Sequence, residues 1–172
     1  LYEQLSEKLQ KPAVVVKKSY DEYLLRAHTG EITVKEMYQD MVKELNPETN
    51  PDELFEIHMK IIKKNINTRD EILLNMIDQF KDDRIVVCMT NTEIEVAELS
   101  EQDGLYDIFH KAYTSTGMGL KKPDTRIFEI ICNEQNVKPE EAVLIDDRLE
   151  NIVAARKFGM NGIYFTHVSP LV

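Results

Sequence analysis

Arg84-Ile85-Val86-Val87-Cys88-Met89-Thr90-Asn91-Thr92 marks the point where the hydrophobic period of the chain changes. From Ile85 to Met89 the residues are apolar without interruption, the pattern of a short strand buried on both faces. Upstream, apolar residues recur every three or four positions. Val16, Tyr20, Leu24 and Ala27 keep helical spacing up to Gly30, whose tolerance of positive φ suits a helix end. Thr33 and Glu36 predict a capping box, Ile32 and Met37 can staple across it, and Met41 and Leu45 extend the stripe. Asn50-Pro51 opens a helix carrying Leu54, Ile57 and Ile61, and Thr68 with Glu71 predicts the cap of another that carries Ile72, Met76 and Phe80. Residues 1–82 therefore read as a four-helix bundle, with Lys81-Asp82-Asp83 as the junction.

Downstream of the junction, short apolar runs alternate with helical stretches. After the strand from Arg84 comes a helix, then a strand near Ala112–Thr114, a helix from about Asp124 to Glu134, a strand Ala142–Ile145, a helix Leu149–Phe158 and a strand Gly162–Phe165. Strict alternation predicts an α/β fold over residues 83–172, a parallel sheet flanked by helices on both faces.

Composition narrows the function classes. The 172 residues include 21 Lys and Arg against 31 Asp and Glu, a formal charge of −10 that repels nucleic-acid backbones and anionic membrane surfaces. No apolar run approaches the roughly 18 residues of a spanning helix, and the charged opening LYEQLSEKLQ is unlike a signal peptide. Cys88 and Cys132 lack a CxxC partner or nearby histidine, which argues against structural zinc and for a reducing cytoplasm.

In open α/β sheets, ligands bind at the carboxyl ends of the strands. The strand from Arg84 ends in Thr90-Asn91-Thr92, a hydroxyl and an amide beside a helix start where an anion is favoured, although Thr92 with Glu95 also reads as a plain capping box. Gly119-Leu120-Lys121-Lys122-Pro123-Asp124 places Lys122 just ahead of a helix start, where a cation is disfavoured by the macrodipole. Lys122 therefore either points into solvent or serves a purpose other than folding, in which case its replacement leaves the melting temperature nearly unchanged. Val143-Leu144-Ile145 delivers Asp146-Asp147 side by side, with Asn151 one turn further on. Adjacent carboxylates leaving a buried strand suit a hard divalent cation such as Mg2+.

Taken together, Thr90-Asn91, Lys122-Pro123-Asp124 and Leu144-Ile145-Asp146-Asp147 with Asn151 and Phe158-Gly159-Met160 closely resemble, in order and spacing, motifs two, three and four of the haloacid dehalogenase (HAD) superfamily of hydrolases. The resemblance covers residues 84–165. It implies a Rossmann-like core over residues 83–172 and identifies residues 1–82 with the all-helical cap that the superfamily inserts after its first strand. It further implies phosphoryl transfer to an aspartate and hydrolysis of the acyl phosphate, making the protein a magnesium-dependent phosphatase of a small phosphorylated metabolite. Thr90 would donate its hydroxyl to a phosphoryl oxygen, and Lys122 would set its ammonium against nucleophile and phosphate. Asn91 and Asn151 would orient neighbours, and Asp147, with Asp146, would hold Mg2+. Arg26, His28 and Thr29, at the end of a cap helix, are candidates for facing the cleft.

The superfamily's first motif, a strand ending in Asp-x-Asp, has no counterpart before Lys81. Val14-Val15-Val16 is followed by Lys17-Lys18 and reads as helix. The expectation is an upstream segment carrying the nucleophile, in keeping with a chain that starts on Leu1. Without it the sheet opens at its centre, between the strands ending in Thr90 and Ile145. Asp146-Asp147 stands where metal-independent haloalkanoate dehalogenases carry Ser-Asn, which favours the phosphatase branch. A phosphosugar mutase, and a noncatalytic binding protein that has lost its nucleophile, remain alternatives, as do monomer and homodimer.

Overall fold

The computed structural model describes residues 1–68 and 70–166. The chain divides into two compact units, Leu1–Gly119 and a second from Leu120 onward. No helix among the described residues is long and apolar enough to cross a membrane.

The first unit begins with α1 (Tyr2–Leu9), α2 (Ala13–His28), α3 (Val34–Leu45), α4 (Pro51–Ile66) and α5 (Glu71–Phe80). Among the described residues, five helices thus precede Arg84 where four were expected. The additional one is α1, whose charged positions mask a two-residue stripe, Leu5 and Leu9, that is fully buried. Val14–Val16 lie in α2, as the lysines after them suggest. Leu5, Val16, Met37, Tyr38, Met41 and Leu54 form the heart of one core with no exposed surface on most of its side chains, each contributing about 1.5–3 kcal/mol by leaving water. α3 starts as read: Thr33 Oγ1 accepts from Glu36 N at 3.1 Å, and Glu36 Oε2 accepts from Thr33 N at 2.8 Å. Thr33→Ala should cost about 1 kcal/mol of stability, read as a lower urea midpoint at unchanged slope.

The cap of α5 differs from expectation. α5 is capped by Asp70, whose Oδ1 accepts from Ile72 N and Leu73 N at 3.0 Å, and not by Thr68. An aspartate directly before the first helical residue is better placed than a threonine two positions earlier. The apolar stripe of α5 is exposed, with Ile72 and Met76 at 76% and 50%.

β1 (Val87–Thr90) pairs in parallel with β2 (Lys111–Thr114), in register Thr90↔Thr114, and α6 (Ile94–Gln102) joins them. β1 is half-buried along its length, which corrects the expectation of burial on both faces. Among the described residues it ladders with β2 alone, so one edge and part of each face stay open. The short α7 (Ser115–Met118) follows β2.

In the second unit, α8 (Thr125–Glu134) leads into a βαβ unit of β3 (Val143–Asp146), α9 (Leu149–Phe158) and β4 (Asn161–Tyr164). β3 and β4 pair in parallel, Asp146 opposite Tyr164. Ile127, Phe128, Ile152 and Ala155 are fully buried. α9 ends at Gly159, at φ 109°, where Met160 N donates to Ala155 O at 3.0 Å and turns the chain into β4. β4 then runs so close to α9 that a Cβ on Gly162 would meet Ile152 Cγ2 at 2.9 Å. Alternation along β3 puts Leu144 and Asp146 on the buried face, while Val143 and Ile145 are 51% and 57% exposed. The only strands among the described residues are these two parallel pairs.

Candidate active site

The strand period decides the environment of Asp146. Two residues beyond Leu144, it leaves β3 on the buried side, while Asp147 falls on the exposed one. Asp146 Oδ2 accepts from Lys122 Nζ at 2.7 Å. Asp146 Oδ1 accepts from Asn151 Nδ2 and from Arg148 N, each at 2.8 Å. The Arg148 amide belongs to the start of α9, so the carboxylate also faces the positive end of that helix. Burial pushes the Asp146 carboxyl up, but the Lys122 and Asn151 donors, together with the Arg148 amide, outweigh it and hold the group below the ordinary aspartate range.

Lys122 is 9% exposed, which overturns the solvent alternative. Its unfavourable place ahead of α8 is offset by the buried carboxylate, 24 positions later in sequence. α8 itself is capped by Asp124, whose Oδ1 accepts from Arg126 N at 3.0 Å. The second unit thus brings together Lys122, Asp146 and Asn151. Asn151 is 2% exposed, and its Oδ1 finds no partner among the described residues.

Asp146 and the Asn151 amide supply hard oxygen atoms, and Asp147 adds an exposed carboxylate, a chemistry that suits Mg2+. Both oxygens of Asp146 already accept hydrogen bonds, so Asp147 is the more available of the two carboxylates. No group of three or more His, Cys, Asp or Glu side chains that could hold a metal occurs among the described residues. The pair therefore fits Mg2+ as part of a ligand set that water, phosphate or a further carboxylate would complete.

Thr90 and Asn91 lie in the first unit, at the carboxyl end of β1. Thr92 N donates to Ser115 Oγ at 3.0 Å, tying this loop to the residue that follows β2. The expected Thr92–Glu95 capping box does not form. α6 starts after Glu93, and the Glu95 carboxylate instead accepts from Val34 N at 2.9 Å and Lys35 N at 3.2 Å, capping α3 from a distance. Of the turn candidates, Arg26 pairs with Glu31 at 2.8 Å on the surface, Thr29 Oγ1 donates to Arg26 O at 3.1 Å, and His28 Nε2 lies 3.6 Å from the buried Glu93 carboxylate. Glu93 was not singled out from the sequence. Its four-residue surroundings, Thr-Glu-Ile-Glu, carry only a helix-start signal.

Parallel strand pairs with polar groups at their carboxyl ends, and a buried lysine–aspartate pair at the end of β3, define an α/β protein with the ligand-facing strand ends of an open sheet. Residues 2–159 match the haloacid dehalogenase-like hydrolase family, and the chain belongs to it. Among solved structures, a HAD family enzyme from Bacteroides thetaiotaomicron superposes with a TM-score of 0.76 at 17% identity, covering 99% of this chain and 85% of that one. A predicted HAD-like family hydrolase from Porphyromonas gingivalis gives 0.70 at 19% identity, with 87% and 75% covered. The fold is therefore that of HAD-like structures. In sequence, the chain is 32% identical over 82 residues to the sesquiterpene phosphatase astK of Aspergillus oryzae, 47% of this chain and 42% of that protein. It is 39% identical over 64 residues to the glyceraldehyde 3-phosphate phosphatase of Pyrococcus furiosus, 37% of this chain and 27% of that protein. The matched stretches thus span less than half the length of these curated relatives.

Proposed function

We propose that this chain carries the helical cap, residues 1–82, and most of the α/β core, residues 83–172, of a magnesium-dependent phosphatase acting on a small phosphorylated metabolite. The observation that carries the reading is the buried Lys122–Asp146 pair at the carboxyl end of β3, 2.7 Å between Nζ and Oδ2. A buried ion pair is weak as a device for stability alone, because desolvation consumes most of its attraction. An ammonium ion held in such a place is well suited to charge that develops on a transferring phosphoryl group. The phosphatase names of two relatives support the same branch.

In this reading the nucleophile is an aspartate outside the sequence described, and the acyl phosphate formed on it is hydrolysed by water. That β1 and β3 each ladder with one strand among the described residues is in keeping with a further strand. Thr90 donates its hydroxyl to a phosphoryl oxygen. Lys122 sets its ammonium against the phosphoryl group and the nucleophile, and Asp146 fixes that ammonium in place. Asn91 and Asn151 orient neighbours, Asn151 through its amide on Asp146. Mg2+ held by Asp147 and Asp146 would neutralise charge on the phosphoryl oxygens.

Hydrolysis of an aryl phosphate by the full-length protein, titrated with Mg2+, tests the assignment. Asp147→Asn should raise the Mg2+ concentration for half-maximal rate by at least about tenfold, the lower end of what loss of a metal-site residue costs. An unchanged Mg2+ curve overturns the metal assignment, and absence of any phosphatase activity in the wild-type protein overturns the reading as a whole.

A further inference from the structure

Two carboxylates that follow β1, Glu93 in the loop and Glu95 in the first turn of α6, reach back about sixty residues to the α2–α3 turn. Glu95 caps the first turn of α3 through Val34 N and Lys35 N. Glu93, 7% exposed, lies 3.6 Å from Nε2 of His28, the last residue of α2. The Glu95 contact also has the sign a helix end favours, an anion at the amino end of α3. Between α2 and α3 stands Gly30 at φ 74°, where a Cβ would come within 2.9 Å of Thr116 O, so the turn's backbone rests directly on the segment after β2. Thr92 is fixed to the same segment through Ser115. Thr90-Asn91-Thr92 is therefore held from one side by Ser115 and from the other by Glu93.

We propose that Glu93 is a positioning residue for Thr90 and Asn91, and that its grip depends on His28. The proposal rests on the reading of Thr90 and Asn91 as phosphate-binding residues, and makes phosphate affinity sensitive to a cap residue. Around Glu93 stand Tyr20 and His28 from α2, Tyr38 from α3, His58 from α4 and Glu95 from α6. Burial raises both tyrosines and lowers His58, so all three stay neutral near pH 7. His58 is further committed through Nδ1 to Tyr38 Oη at 3.0 Å. Burial raises the Glu93 carboxyl and His28 lowers it, with a net shift downward, so the glutamate is charged and His28 is the partner that faces it.

Amide hydrogen exchange of the full-length protein, corrected for intrinsic pH dependence, reads the clamp without recourse to activity. Glu93→Gln and His28→Gln should each speed exchange at residues 90–93 by about tenfold, with β3 and α9 unchanged, and the double variant should add little. His28→Lys, which keeps a nitrogen donor facing Glu93, should retain the wild-type protection of the loop. In the phosphatase assay the same variants should raise KM for an aryl phosphate about tenfold with kcat largely kept. If Glu93→Gln folds poorly, His28→Gln against His28→Lys gives the same comparison. Loop exchange unchanged by both His28→Gln and Glu93→Gln overturns the clamp. An inactive wild-type protein with the exchange pattern intact overturns the phosphatase reading and leaves the clamp standing.

Discussion

Lys122→Met in the full-length protein should slow hydrolysis of an aryl phosphate by at least about a hundredfold per folded molecule. Loss of one preorganised partner for transition-state charge costs about 2.7–4 kcal/mol, or two to three decades in rate. The normalisation to folded molecules is essential because Lys122 is also structural. Its ammonium neutralises Asp146 in a buried place, and removing one member of such a pair costs about 3–5 kcal/mol. The melting temperature is thus expected to fall, contrary to what the local sequence suggests. Single-turnover assays on the folded fraction separate the two effects. Wild-type turnover there would reduce Lys122 to a packing residue.

Asp146→Ala should give the largest loss of stability of any change in the second unit. The carboxylate accepts from Lys122, Asn151 and Arg148, and its removal strands a buried ammonium ion. A cost of about 3–5 kcal/mol follows, or a drop in melting temperature of roughly 6–20 °C for a chain of this size. The acid limb gives an independent check. The folded-state Asp146 carboxyl lies below its ordinary value of 3.8, so its contribution is complete above that pH and is lost as pH falls through the folded value. Urea midpoints of the wild type should therefore decline below about pH 4, and those of Asp146→Ala should decline less. Parallel curves would show that the shift attributed to Lys122 and Asn151 is not there.

What the sequence revealed follows from the range of the forces involved. Helix α9 runs from Leu149 to Phe158 as read, because Asp-Arg before it and Gly159 after it are local signals. The strands fall within one or two residues of their expected places for the same reason. Burial of β1 was not legible, since it depends on what lies beside the strand and not on the strand's own residues. Thr92-x-x-Glu95 and Thr33-x-x-Glu36 are the same pattern, yet only the second forms a box, because the amides of Val34 and Lys35 compete for Glu95. The Lys122–Asp146 and His28–Glu93 pairs join positions far apart in sequence, where a helix-dipole argument has no view. The motif resemblance placed Lys122, Asp146 and Asn151 in one set, and the second unit brings them together.

The exposed face of β3 bears on how the protein behaves in a tube. Val143 and Ile145 point outward beside Ile163 of β4, which is 53% exposed, and they form an adhesive strip on a chain whose net charge of −10 keeps its copies apart. Mutual repulsion reaches about 30 Å in 0.01 M salt and only about 3 Å in 1 M. Colloidal stability of this sequence is thus expected to depend on ionic strength, dilute buffer preserving spacing between molecules and concentrated salt letting the exposed aliphatic side chains find one another.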